Sequence, residues 1–195
     1  MTGDERRDAI LDAARTVFAR RGYHGASTAD IAVAAGCSEP MLYKHFASKQ
    51  GLFVAALQQG GMAVKAKVLA AISDADEPLR ALAEVSSELL ADPRWGELMR
   101  MRALAVTMAD DPEIGGALRS SMFHHSATMA GVMRQAQAQG QVRHDIDPDV
   151  IGWIGVAISL LAAYRNALEG EEGLRDTARV MRALLTLVST EEEPS

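Results

Sequence analysis

The chain has 195 residues, 48% hydrophobic and 24% charged, with a formal net charge of −6; these are ordinary globular values that exclude wholesale disorder and allow one sizeable core or two smaller ones. A single cysteine, Cys37, excludes an intrachain disulfide. Charges begin at Asp4, unlike a secretory signal, and the longest apolar run, 150–164, is short for a bilayer span, so a soluble cytoplasmic protein with no membrane partner is expected.

Aromatic residues make up only 5% while alanine, leucine and methionine abound, a palette that favours helix over sheet. Charge is uneven along the chain. Residues 1–51 hold seven Lys/Arg against six Asp/Glu, so the acidity lies in the remainder. Three Asp-Pro pairs, Asp92-Pro93, Asp111-Pro112 and Asp147-Pro148, read as helix starts: aspartate accepts from the free amides of a first turn, and proline there has no amide to waste. Gly22, Gly36, Gly140 and Gly170 read as helix ends.

From this punctuation about nine helices are expected. The first covers 4–21, with Ile10, Leu11, Ala14, Val17 and Phe18 on one face. The second covers 28–35 and the third 39–45. The fourth runs from Lys49 to Ser73, and the others cover 77–91, 93–109, 112–139, 148–168 and 174–190. No strand alternation and no internal repeat is visible. The tail 191–195 is expected to be disordered.

Residues 27–46 carry the most specific signal. Ser27 or Thr28 can cap a short helix whose first turn holds Asp30. Ala34-Ala35-Gly36 permits a tight turn. Ser38 and Pro40 then open a second short helix ending in Tyr43-Lys44-His45-Phe46. This is a helix-turn-helix, whose second helix can enter a major groove. The pattern Thr28, Ile31-Ala32, Ala35-Gly36, Ser38, Leu42-Tyr43, His45-Phe46, Lys49, Leu52, with Phe18 and Gly22 ahead of it, resembles the TetR family of bacterial transcriptional repressors over residues 5–55. Two departures stand out: Cys37 where the family usually has valine, and Glu39-Pro40-Met41 in place of a small polar run.

The resemblance implies an all-α fold: a helix-turn-helix DNA-binding domain over 1–48, and a helical effector-binding and dimerisation domain over 49–190. Tyr43, His45, Lys49 and Thr28 would meet the phosphate backbone of a double-stranded DNA operator. Ser38, Glu39, Pro40 and Lys44 would face the bases, with Glu39 able to accept from a cytosine amine although it repels phosphate. Lys49 sits where its charge opposes the helix dipole, which points to a nearby anion. Leu42 and Phe46 would face inward onto Ile10, Phe18 and Ile31.

In the remainder, methionines gather in the sixth and seventh helices, and Met suits irregular pockets. The family encloses a small-molecule pocket in this region, which implies a mostly apolar effector held by Trp95, Met99, Phe123, His124, Thr128, Met129, Met133 and Trp153. The eighth helix is apolar nearly all round, with Gly152, Gly155 and Ala157 allowing close approach, and the ninth carries an apolar stripe. A homodimer through Ile151, Ile154, Ile158, Leu161, Met181, Leu184, Leu185 and Val188 is expected. Adjacent His124 and His125 point about 100° apart on a helix and do not suit one metal. His144-Asp145-x-Asp147-x-Asp149 is rich in ligand types, but Asp147 is needed as a cap. No metal, no cofactor and no catalysis are expected, since no Ser-His-Asp spacing, glycine-rich phosphate loop or HExxH motif appears. The expected function is a ligand-responsive repressor that binds a palindrome as a dimer. The alternatives are a regulator controlled by a protein partner or by Cys37 oxidation, and an enzyme or carrier built on a helical pocket.

Overall fold

The computed structural model describes residues 2–190, so the tail 191–195 and its expected disorder lie outside the described residues. Among the described residues there are nine helices: α1 (Gly3–Gly25), α2 (Thr28–Ala34), α3 (Glu39–His45), α4 (Lys49–Ile72), α5 (Pro78–Ala91), α6 (Pro93–Thr107), α7 (Pro112–Ala138), α8 (Pro148–Glu169) and α9 (Glu171–Val188).

The helix boundaries follow the local chemistry. Thr2 and Glu5 close a reciprocal capping box at the start of α1. Asp92 Oδ1 accepts from the Arg94 amide at 2.9 Å, Asp111 Oδ1 from the Glu113 amide at 3.0 Å, and Asp147 Oδ1 from the Asp149 amide at 2.9 Å. Each Asp-Pro pair is therefore a capped start. Gly22, Gly36, Gly140 and Gly170 all have positive φ (71°, 64°, 75° and 63°), a conformation that costs other residues a steric penalty. At Gly22 the backbone leaves the helical region, and one further turn to Gly25 follows it. The last helix begins earlier than its apolar pattern suggests, because Gly170 ends α8 and opens α9 without an intervening loop. An isolated antiparallel bridge joins Val142 to Ser189, a pairing no strand-like alternation announces.

The chain divides into two compact units, and α4, α6 and α7 each contribute to both. The first holds residues up to Met62 together with Glu97–Arg119. Ile10, Phe18, Ile31, Leu42, Leu52, Phe53 and Leu57 are fully buried in it. Phe18 and Tyr23 each meet the Phe53 ring edge-on, at 5.1 and 5.3 Å between centroids. Arg15, itself buried, reaches Glu97 at 3.4 Å and Asp12 at 3.0 Å. A Cβ on Gly60 would stand 2.7 Å from Leu98 Cδ1, so the glycine lets α6 pass close to α4.

The second unit holds Ala63–Gly96 and the chain from Ser120 onward. Its core joins Val68 and Ile72 of α4, Leu82 and Val85 of α5, Met129, Val132 and Met133 of α7, Ile151 of α8, and Leu185 and Val188 of α9. Gly152 and Gly155 work inside this unit. A Cβ at 152 would meet the Ser126 carbonyl oxygen at 2.5 Å, and one at 155 would meet Met129 Cγ at 3.1 Å. The close approach expected of these glycines between chains is thus a crossing of α7 and α8 within one chain. Seven residues of α8 between Ile151 and Ala163 are buried, which accounts for the apolarity of its inner face. It is the one described helix long and apolar enough to cross a membrane, yet Ile151, Val156, Ile158, Ala162 and Ala163 face the protein interior.

Candidate nucleic-acid interface

Helices α2 and α3 are joined by Ala35-Gly36-Cys37-Ser38. The Cys37 amide donates to the Ala32 carbonyl at 2.9 Å and the Gly36 amide to the Val33 carbonyl at 3.1 Å, the paired bonds of a Schellman turn. Cys37 occupies the position just past that turn, where an apolar side chain ordinarily packs, and it is half-buried.

Of the two candidate caps for α2, Ser27 is the cap: its Oγ accepts from the Asp30 amide at 3.0 Å. It also donates to Asp30 Oδ2 at 2.6 Å, and Arg21 Nη1 meets the same oxygen at 2.6 Å. The Ser27 bond, and then Arg21, hold the Asp30 carboxyl below its ordinary range. Thr28 is thereby released from capping. Its buried hydroxyl donates to Glu39 Oε1 at 2.5 Å and lies 3.2 Å from the Tyr43 hydroxyl. Thr28 has one proton to give and Glu39 receives it, so Tyr43 is the donor in the second contact.

Ser38 stands at the start of α3 but makes no side-chain capping bond, and it is exposed. Pro40, Tyr43 and Lys44 are exposed as well, with Tyr43 at 47%. His45 and Lys49 are half-buried. Leu42 and Phe46 face inward, at 0% and 5% exposure. Lys49 Nζ lies 4.7 Å from the centre of the Tyr23 ring, a cation–π contact. Arg7 stacks its guanidinium 4.5 Å over the Phe46 ring. Ser48 caps α4, its Oγ accepting from the Gly51 amide at 2.9 Å. Arg7 and Ser48 were legible only through tertiary contact and through the serine's place just ahead of Lys49, respectively.

The structure also shows what sequence reading overlooked. Gln50, in the first turn of α4, donates to Asp111 Oδ1 at 3.1 Å and to Glu113 Oε2 at 2.8 Å at the α6–α7 turn. Arg102 lies buried inside α6, and desolvation pulls its guanidinium down to about 10.

Of the eight residues expected to line an effector pocket, seven lie in the second unit and Met99 lies in the first. Met129 and Met133 belong to the second unit's core, and Trp95 is buried in the same unit. Met99 is buried in the first. Phe123 and Trp153 pack edge-on at 5.2 Å and are 61% and 41% exposed. The His124 ring is exposed and bonds back to the Ser120 carbonyl at 2.7 Å, and the Thr128 hydroxyl donates to the His124 carbonyl at 2.7 Å. Both polar groups are satisfied within their own helix.

The expected dimer residues divide between the interior and the surface of the chain. Ile151, Ile158, Leu185 and Val188 are all under 9% exposed, and Ile154, Met181 and Leu184 pack partly buried against the same core. Leu161, at 39%, faces out. The large exposed apolar side chains on these helices are Val150, Trp153, Leu160, Leu161, Tyr164 and Leu168 of α8, and Val180 and Leu187 of α9. Among the described residues no three His, Cys, Asp or Glu side chains are placed to hold a metal ion. Asp145 instead pairs with Arg143 and Asp149 with Arg134.

Comparison with known proteins agrees with this geometry. Residues 10–56 match the model of bacterial regulatory proteins of the tetR family, and residues 73–188 match that of a tetracyclin repressor-like C-terminal domain. The transcriptional activator FasR of Mycolicibacterium smegmatis is 54% identical over 56 residues, 29% of this chain and 26% of that protein. The transcriptional repressor AcnR of Corynebacterium glutamicum is 27% identical over 150 residues, 74% of this chain and 73% of that protein. A solved structure of a TetR-family transcriptional regulator from Rhodococcus sp. superposes with a TM-score of 0.79 at 25% identity, covering 96% of this chain and all of that one.

Proposed function

The chain belongs to the TetR family of bacterial transcriptional regulators and carries its helix-turn-helix DNA-binding domain, and from that premise we propose that it is a ligand-responsive repressor that binds a palindromic operator as a homodimer. One observation carries the reading. Each protomer offers one recognition helix, α3, and one unpartnered apolar face on α8 and α9. A face bearing Tyr164 at 67% and Leu168 at 66% exposure costs free energy in water until another apolar surface covers it. A second copy does so symmetrically and supplies the second recognition helix that a two-fold operator requires, with half-sites about 34–36 Å apart or a multiple of that.

Thr28, Tyr43 and Lys49 contact phosphates in this reading, with His45 beside them; Lys44, expected at the bases, is exposed beside Tyr43 and contacts a phosphate instead, and Ser38, Glu39 and Pro40 face the bases. The effector is small and mostly apolar, and it repacks the methionine-rich core around Met129 and Met133. Val68 and Ile72 at one end of α4 share that core, whereas Leu52, Phe53 and Leu57 of the same helix lie in the DNA-binding unit. A shift of α4 therefore connects effector to operator, and each weakens the other's binding by the same factor. The repressor sense follows AcnR, whose likeness spans most of the chain, rather than the activator FasR, whose likeness is confined to 56 residues.

The test is a salt-titrated gel shift on the DNA flanking the protein's own gene, with sedimentation of the same sample. Specific binding that weakens steeply with salt, by a dimer, is the expected result. A monomer at micromolar concentration sinks the dimeric reading. Transcription that rises when the purified protein is added to a template bearing its site reverses the sign to activation.

A further inference from the structure

Thr28 and Tyr43, the two hydroxyls placed to meet DNA phosphate, are not idle in the DNA-free protein. They form a chain that ends on a carboxylate: Tyr43 to Thr28 at 3.2 Å, and Thr28 to Glu39 at 2.5 Å. A carboxylate and a phosphate are rival acceptors for the same hydroxyl protons. Thr28 is 8% exposed, so its hydroxyl cannot exchange partners with bulk water freely. Arg21 is held by Asp30, which Ser27 also binds. The Glu39 bond from Thr28 links α3 back to α2.

Glu39 also opens α3, the end of a recognition helix that meets base edges. Once the hydroxyls turn to a phosphate, its carboxylate faces the groove. An amine edge, from cytosine N4 or adenine N6, satisfies it there. The carbonyl oxygens of guanine and thymine repel it. We propose that the Glu39 carboxylate occupies the Thr28–Tyr43 hydroxyl pair in place of a DNA phosphate, and that only DNA presenting an amine to Glu39 makes its release favourable. One residue then couples backbone clamping to base reading, and it earns specificity by weakening binding to the wrong DNA. The proposal rests on the reading of α3 as the groove-entering helix.

The experiment uses two fluorescent duplexes: one selected by the full-length protein from a random pool, and one of random sequence. Binding anisotropy at fixed salt is measured for wild type, Glu39→Gln, Thr28→Val and the double variant, with thermal melting confirming that each folds. Glu39→Gln is expected to tighten binding to the random duplex roughly fivefold, within the range of one base contact, and to tighten the selected duplex less or weaken it. In the Thr28→Val background that gain disappears, because the hydroxyl that Glu39 accepts from is gone. An equal gain in both backgrounds reduces Glu39 to a surface charge and overturns the proposal. An unchanged ratio between the two duplexes overturns it as well, while leaving the DNA-binding reading intact. A wild-type protein that selects no sequence overturns both.

Discussion

Helices α3 and α8 make an instructive pair. In α3 the apolar and polar positions separate cleanly: Leu42 is fully buried, and Tyr43 and Lys44 beside it are exposed. Helix α8 is apolar nearly all round, yet it too has an inside and an outside. Ile151, Val156 and Ile158 enter the core, while Trp153, Leu160, Leu161, Tyr164 and Leu168 stay on the surface. In α3 the solvent face is written in polar side chains. In α8 the outer face is apolar as well, so composition cannot say which stripe turns inward. The division there follows the two glycines, Gly152 and Gly155, because only the glycine face can approach α7 closely.

The largest effect is expected from Leu42→Ala, which removes a fully buried side chain between α2 and α3. It should lower unfolding stability by about 2–5 kcal/mol and abolish DNA binding, as read by chemical denaturation and gel shift. Retained stability would show that α3 does not depend on its inner face. On α8, Tyr164→Glu combined with Leu168→Glu should raise the dimer dissociation constant by at least about 30-fold, a 2 kcal/mol interface effect, without destabilising the protomer. Ile158→Ala should do the reverse, destabilising the fold with little direct effect on association. Sedimentation together with thermal melting separates the two, and a swap of the two outcomes would reverse the assignment of the faces.

A smaller effect is expected from Gly152→Val. Its Cβ would stand 2.5 Å from the Ser126 carbonyl oxygen, so it should cost about 1–3 kcal/mol in denaturation. A neutral result would detach the α7–α8 crossing from that glycine. Lys44→Ala should leave folding untouched and flatten the slope of log affinity against log salt by about one unit. An unchanged slope would remove Lys44 from the phosphate contacts.

The smallest is Asp92→Ala, which removes the cap of α6 at a cost of about 1 kcal/mol at pH 7. The Arg94 hydrogen bond holds the Asp92 carboxyl below its ordinary 3.8. Its contribution is therefore present above that value and is lost as pH falls through the lower folded one. The gap between variant and wild type in acid denaturation should narrow below that point, and a gap independent of pH would show that the charge plays no part.

Much of the helix pattern is legible in the sequence because its signals are local. Gly36, Ser27 and the three Asp-Pro pairs act within four residues of themselves. What escaped was long in range. The bond of Thr28 to Glu39 spans eleven residues. The ring against the Lys49 ammonium belongs to Tyr23, on a different helix. Phe123 and Trp153 have the chemistry of pocket walls, and nothing in their spacing reveals that they pair on the surface.

The sequence by itself determined the helices, their caps and the helix-turn-helix, because capping, turn geometry and a 3.6-residue period are decided by neighbours along the chain. Only the tertiary structure decided which face of α8 is core, which methionines lie together, and which acceptor holds the Thr28 hydroxyl. Those are choices among several apolar or polar partners of equal local merit, and they are settled only when distant segments compete for the same space and the same protons.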